Sequence, residues 1–260
     1  MRRWLLPVLF AMLLLGLWEL LAQTGVLADI LGVDRSVRGL LVPAPSDVAT
    51  SLWEDRSLLA DNGWVTLREI LFGFGISLVL GVLFAVAMHL SRGVRDVLYP
   101  ALVASQTIPI IAIAPILVIW LGYGIGPKLA VIALICFFPI TVNTFDGLRS
   151  VDPDAVRMMR TLDASRWSIL RRVELPAALP FFFSGAKIAV AVAAIGAVFG
   201  EWVGADSGLG HLMLTAQGSL LTARVFAAIV VLSVFAIALF GLLALLERRL
   251  AWWEREGLQA

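Results

Sequence analysis

The sequence predicts an all-α polytopic membrane protein with six transmembrane helices and both termini on the cytoplasmic side. Three observations carry this. Hydrophobic residues make up 60% of the 260, against about 45–50% in a soluble domain. They gather into six runs, each near the ~20 residues that a helix needs to cross a bilayer. The Lys and Arg residues fall mostly between alternate runs, which sets the side each loop faces. A net charge of +1 gives no reason to expect a nucleic-acid partner. The single Cys136 rules out a disulfide within the chain. Neither lysine, Lys128 or Lys187, sits in a G-x-x-x-x-G-K-[ST] loop, so no P-loop is recognisable. His89 and His211 are isolated. The expectation is a protein without catalytic residues, metal or cofactor of its own.

The first span is read at residues 4–21, after Arg2 and Arg3. A charged start before an apolar run also describes a signal peptide. A retained span is favoured, because the run is long and no clean small-x-small cleavage site follows. Residues 23–63 are more polar and read as an outside loop, with a short helix over 46–53 capped by Ser46. The second span covers 64–90, with Gly73, Gly75 and Gly81 offering small faces for close packing. A short basic loop, 91–96, leads to a third span over 97–121 carrying Pro109 and Pro115. After a turn at 122–128 comes span four, 129–145, with Pro139. Span five is 181–203 and span six 225–246, separated by an outside loop, 204–223, with its own helix over 211–220. The chain then reads as three parts: 1–63, a first helix plus external loop; 64–246, a core with an inside loop at 150–180; and 247–260, a tail.

Sidedness follows from the cations. With the N-terminus inside, the inside segments hold Arg2, Arg3, Arg92, Arg95, Arg149, Arg157, Arg160, Arg166, Arg171, Arg172, Arg248, Arg249 and Arg255, most of the 20 Lys and Arg.

The inside loop is the most informative stretch. Asp152 is placed to cap a helix with Pro153 in its first position, where the missing N–H costs nothing. Val156, Met159 and Leu162 lie at helical spacing on one side, with Arg157 and Arg160 pointing elsewhere. Asp163-Ala164-Ser165 breaks the helix, and a second short helix, 166–173, is expected to stop before Pro176. Two short amphipathic helices between spans make a docking surface; a solvated basic loop is the alternative.

Polar residues inside spans invite a functional reading. Gln106, Thr107, Asn143 and Thr144 share spans with prolines, and such breaks are tolerated where they line a cavity. They are candidates for a translocation route, with helix–helix hydrogen bonding the alternative. Glu201, beside Trp202, is a candidate for the outer mouth. Lys187 is read as snorkelling to the inner surface, with attraction of an anionic solute as the alternative.

The loop and its surroundings resemble the integral membrane permease subunit of bacterial ABC importers. That family carries E-A-A, three residues, Gly, nine residues, then Ile-x-Leu-Pro. Here Leu175-Pro176 anchors the pattern, Val173 takes the Ile position, Asp163 the Gly position, and Arg157-Met158-Met159 the place of E-A-A. Arg for Glu reverses a charge on the docking helix, and Asp for Gly occupies a turn position where φ > 0 is expected. The segment Gly200-Glu201-Trp202-Val203-Gly204-Ala205, ending in Gly208-Leu209-Gly210, and the segment Pro43-Ala44-Pro45 look like motifs of the subgroup importing nitrate, sulfonates, taurine and pyrimidine-type vitamin precursors.

The resemblance implies a type I importer fold. It implies a second permease subunit, here identical, two cytoplasmic ATP-binding subunits, and a periplasmic or lipid-anchored solute-binding protein, in the bacterial inner membrane. On that reading Asp154, Val156, Arg157, Met159, Arg160, Leu162, Asp163, Ala164, Ser165, Leu175 and Pro176 carry the contact with the ATPase. The resemblance leans to a thiamine-type pyrimidine precursor as solute, then sulfonate or taurine, then nitrate. A stand-alone secondary transporter or channel is the rival. It calls for inverted repeats and membrane-embedded ion ligands, and no convincing internal repeat is found. A non-transporting scaffold would explain the loop but not the proline-broken spans.

Overall fold

The computed structural model describes residues 2–24 and 42–253. Residues 25–41 of the expected external loop and 254–260 of the expected tail lie outside the described residues, as do the side chains of Arg2 and Arg3. Every regular element among the described residues is helical: α1 (Arg2–Thr24), α2 (Pro45–Glu54), α3 (Arg56–Leu90), α4 (Arg92–Ser105), α5 (Ile110–Leu121), α6 (Ile125–Arg149), α7 (Pro153–Thr161), α8 (Arg166–Ile169), α9 (Leu175–Gly204), α10 (Leu209–Gly218) and α11 (Thr222–Leu250). A π turn, Leu170–Glu174, joins α8 to α9, so that Arg166–Gly204 is one helical run.

Among the described residues, four helices are long and apolar enough to cross a membrane: α3, α6, the Arg166–Gly204 run and α11. The pair α4 and α5, bent by 106°, makes a fifth if counted as one broken span. The apolar part of α1, Val8–Thr24, is shorter. The expected third span over 97–121 is therefore not one rod. Pro109 has no N–H to give and biases its predecessor away from helix, and Pro109 is the extended N-cap from which α5 restarts. Elsewhere helices begin earlier than expected. Residues 91–96 are not a loop, because Ser91 caps α4 directly, accepting from Val94 N. The second span starts at Arg56, well before 64. Within the added stretch, Asn62 Nδ2 donates to the Leu58 carbonyl one turn back.

The chain forms two units, residues 1–66 with 206–233, and 67–205 with 234–260. In the first unit, α1 is tied to α2 by Glu19, whose carboxylate accepts from Ser46 N at 3.0 Å and Ser46 Oγ at 2.7 Å. Ser46 is thus not the cap of α2. Asp47 does that work, accepting from Ala44 N at 3.0 Å. Two N–H groups at the start of α10, which have no helical partner, are met from α3: Gly208 N donates to Asn62 Oδ1 and Leu209 N to Thr66 Oγ1, both at 2.8 Å. Asp55 accepts a bidentate bond from Arg224, at 2.9 and 2.7 Å.

The second unit is built on glycine contacts. A Cβ on Gly73 would lie 2.7 Å from Ile132 Cβ, and one on Gly81 2.6 Å from Ile140 Cγ2, so α3 lies directly on α6. Gly75, expected to share this role, has nothing within 4 Å. The contact between α6 and α9 is closer still, because a Cβ on Gly185 would lie 2.5 Å from the Pro139 carbonyl oxygen. One apolar cluster gathers Ala85, Met88, Leu102, Phe145, Leu148, Leu170 and Ala178; another gathers Ala114, Leu117 and Val131.

Candidate functional site

The polar hairpin between α6 and α9 is made by its caps. Asp152 Oδ1 accepts from Asp154 N at 2.8 Å, as its position before Pro153 predicts. At the far end α7 closes in a complete Schellman motif. Ala164 N donates to the Met159 carbonyl and Asp163 N to the Arg160 carbonyl, each at 3.0 Å. Asp163 itself stands at φ 56°, the left-handed conformation that the Gly of the family motif would occupy freely. Ser165 Oγ then accepts from Ser168 N at 3.2 Å and starts α8.

No residue of α7 is buried. Val156 and Met159 are half-buried, whereas Asp154, Arg157 and Arg160 are exposed. Met158, Leu162 and Trp167 are 60%, 71% and 63% exposed. Leu162 of the expected stripe therefore points outward with Met158 and Trp167 rather than onto this protein's own spans. Arg157 pairs with Asp154 at 2.7 Å in full solvent, a contact worth about 0–1 kcal/mol.

The second loop helix does not stop before Pro176. Pro176 cannot donate to the Arg172 carbonyl, and the chain absorbs this by widening: Leu175 N donates to the Leu170 carbonyl five residues back. Such single π turns occur often at functional sites. The turn ends at Glu174, which is buried. Its Oε2 accepts from Arg166 Nη1 at 2.6 Å and lies 3.0 Å from His89 Nε2 at the end of α3. Leu175 and Pro176 follow half-buried.

The polar residues of the spans are not brought to one place. Gln106 and Thr107 fall in the break between α4 and α5, both exposed. Gln106 lines a cavity of about 520 Å³ with Ser105, Ile108, Pro109, Leu134 and Val192. Thr107 Oγ1 donates to the Ala104 carbonyl and Asn143 Nδ2 to the Pro139 carbonyl, each within its own helix region. Thr144 and Glu201 are buried. Lys187 is paired with Glu247 of α11 at 2.8 Å.

Sequence reasoning missed three groups. Glu69 and Lys128 form a buried ion pair at 2.7 Å between α3 and α6. The signal was partial, Glu69 inside an apolar run and Lys128 in the expected turn just before one, but their pairing spans 59 positions and no local pattern joins them. Glu174 and His89 read as ordinary loop and span-end residues for the same reason. Asp55, the third, lies outside the spans. The Arg224 guanidinium, bonding it first and foremost, holds its carboxyl below the usual value despite partial burial.

Long apolar helices packed through glycine, a helix pair bent at a proline, and an amphipathic hairpin between two of the long helices together describe a multi-pass membrane protein. Residues 77–252 match the family described as the binding-protein-dependent transport system inner membrane component, and the chain belongs to that family. It is a permease subunit of an ABC importer in the inner membrane, not an enzyme; an ATP-binding subunit and a solute-binding protein complete such a system. Among its relatives is the formylaminopyrimidine transport permease protein ThiX of Halalkalibacterium halodurans, 38% identical over 251 residues, 96% of each chain. The riboflavin transport system permease protein RibX of Chloroflexus aurantiacus is 38% identical over 216 residues, 82% of this chain and 81% of the other. The fold is shared with an amino acid ABC transporter of known structure, at a TM-score of 0.61 and 17% identity over 77% of this chain and 97% of that one.

Proposed function

We propose that this permease imports a small polar or anionic organic solute of the pyrimidine vitamin-precursor class, working as one of two identical permease subunits with two ATP-binding subunits below and one solute-binding protein outside. On this reading α1 and the α4–α5 pair complete six spans. Both termini and the loop at 150–180 face the cytoplasm, and residues 64–246 form the transporting core. The observation that carries the substrate class is the likeness to ThiX along 96% of both chains; the likeness to RibX covers less of each. Sulfonate or taurine, then nitrate, rank behind.

Coupling to the ATPase runs through Asp154, Val156, Arg157, Met159, Arg160, Leu162, Asp163, Ala164, Ser165, Leu175 and Pro176. The support is that α7 has no buried residue and leaves Met158 and Leu162 in solvent, apolar surface that a partner groove would cover. Gln106 in the broken-span cavity, with Thr107, Asn143, Thr144 and Glu201, is proposed to line the route. The test is purification of the tagged chain from its native membrane. A co-purifying P-loop ATPase is expected, and replacing Leu162 by Asp is expected to remove it. Uptake of formylaminopyrimidine in proteoliposomes that requires ATP and the binding protein fits the reading. Flux that follows an ion gradient without ATP overturns it.

A further inference from the structure

Glu174 occupies the variable place in Val173-Glu174-Leu175-Pro176, and its surroundings give that place a purpose. A carboxylate at 4% exposure is expensive unless its charge is met. Two side chains from different parts of the chain meet it, an arginine and a histidine. Arg166 opens α8, the second helix of the polar hairpin, and reaches Oε2 at 2.6 Å. His89 ends α3, a long membrane helix, and its Nε2 stands 3.0 Å from the same oxygen. His89 Nε2 makes no directed hydrogen bond there, so the two groups meet by close approach. The carboxylate itself sits on the last residue of the π turn, while Met88, next to His89 in the chain, and Leu170, which opens the turn, belong to one apolar cluster. The turn provides a place where the backbone can change its hydrogen-bond register, and Glu174 is the charge that fixes its position.

We propose that Glu174 is a positioning residue that ties movement of the α7–α8 hairpin to α3, through Arg166 on one side and His89 on the other. This rests on the reading of the hairpin as the ATPase contact. When the hairpin is displaced, Arg166 carries Glu174 with it, and α3 follows through His89. Loss of the carboxylate charge leaves the hairpin able to bind its partner but frees α3 from it.

The test uses the full chain reconstituted with its ATP-binding subunit. Ile108→Cys places a thiol in the broken-span cavity, whereas Cys136 is fully buried and reacts little. The rate of thiol labelling at position 108 is measured with and without ATP and vanadate. With Glu174 intact, the two rates are expected to differ. In Glu174→Gln, which keeps the shape, the difference is expected to shrink about 2–30-fold, the range of typical coupling effects. Glu174→Asp, which keeps the charge, restores part of it. His89→Gln reduces it equally, and the Glu174→Gln, His89→Gln double variant is no worse than either alone, since all three cut one link. Bound ATPase is quantified in every sample. An unchanged ATP effect in Glu174→Gln with ATPase bound overturns the inference, as does a double variant whose losses add. Absence of bound ATPase with Glu174 intact overturns the reading of the hairpin instead.

Discussion

Replacing Gly185 by Ala tests the packing of α6 on α9. The added methyl would stand 2.5 Å from the Pro139 carbonyl oxygen, 2.9 Å from Asn143 Cβ and 3.2 Å from Ile140 Cα. Ordinary contacts between carbon atoms lie near 3.5–4.0 Å, so the helices must part locally by about 1 Å. Two of the three neighbours are backbone atoms and the third is a Cβ, so no rotamer change relieves the overlap. Overpacking of this kind costs about 1–3 kcal/mol, and the rigidity of all three neighbours places this case near 3. At about 2–4 °C per kcal/mol for a chain of this size, the unfolding temperature should fall by roughly 6–12 °C. The molecule carries its own reporter: Cys136 is fully buried, so a thiol-reactive dye labels it as the fold opens during heating in detergent. Gly75→Ala is the control. It meets nothing within 4 Å, and Ala is the better helix former by about 0.5–1 kcal/mol, so its midpoint should rise slightly. Equal midpoints for Gly185→Ala and the unmodified chain would refute the contact, and so would equal losses in both variants.

Asp163→Val places a β-branched residue at φ 56° and should cost about 1–2 kcal/mol, lowering the same midpoint by a few degrees, whereas Asp163→Gly should match or exceed the unmodified chain. Lys128→Ala leaves Glu69 buried without its partner, and about 3–5 kcal/mol should be lost; the combined change Lys128→Met and Glu69→Gln should recover most of it in the same melting assay. Asp55 gives an acid dependence. Its carboxyl is held below the ordinary value, so its contribution is complete above the unfolded pKa, about 3.9, and disappears as pH falls through the lower folded value. Asp55→Asn should therefore lower the unfolding temperature near neutrality, where that contribution is complete, and its midpoint should decline less steeply in acid, so that the gap to the unmodified chain closes as pH falls.

What could be read in the sequence was what one stretch of chain decides. The apolar runs behind α6, α9 and α11 are self-contained, as are the cap at Asp152 and the break at Asp163-Ala164-Ser165, because capping and helix propensity act within a few residues. The motif around Leu175-Pro176 placed the hairpin and with it the family. Outcomes that depend on distant partners were not legible. Ser46 looks like a cap until Glu19 takes both its donors. Gly75 is indistinguishable from Gly73 and Gly81 until α6 is laid against one face of α3. Pro176 ends a helix by local rules, yet here the backbone widens and continues. Lys128, the partner of Glu69, and His89, one of the two neighbours of Glu174, likewise come from helices far along the chain.

The contact at Gly185 and Pro139 also sets what can flex. There α6 and α9 meet backbone against backbone, at a separation that leaves no room for a side chain, and the pair makes a closely packed wall. Shape change in the second unit is expected at its breaks rather than across that wall. The four-residue interruption before Ile110 and the turn at Gly122 and Gly124, with φ of 77° and 126°, are the joints left to bend. Between them lies α5, twelve residues long with Pro115 at its centre, which has the length and the free ends of a short lever swinging against a fixed wall.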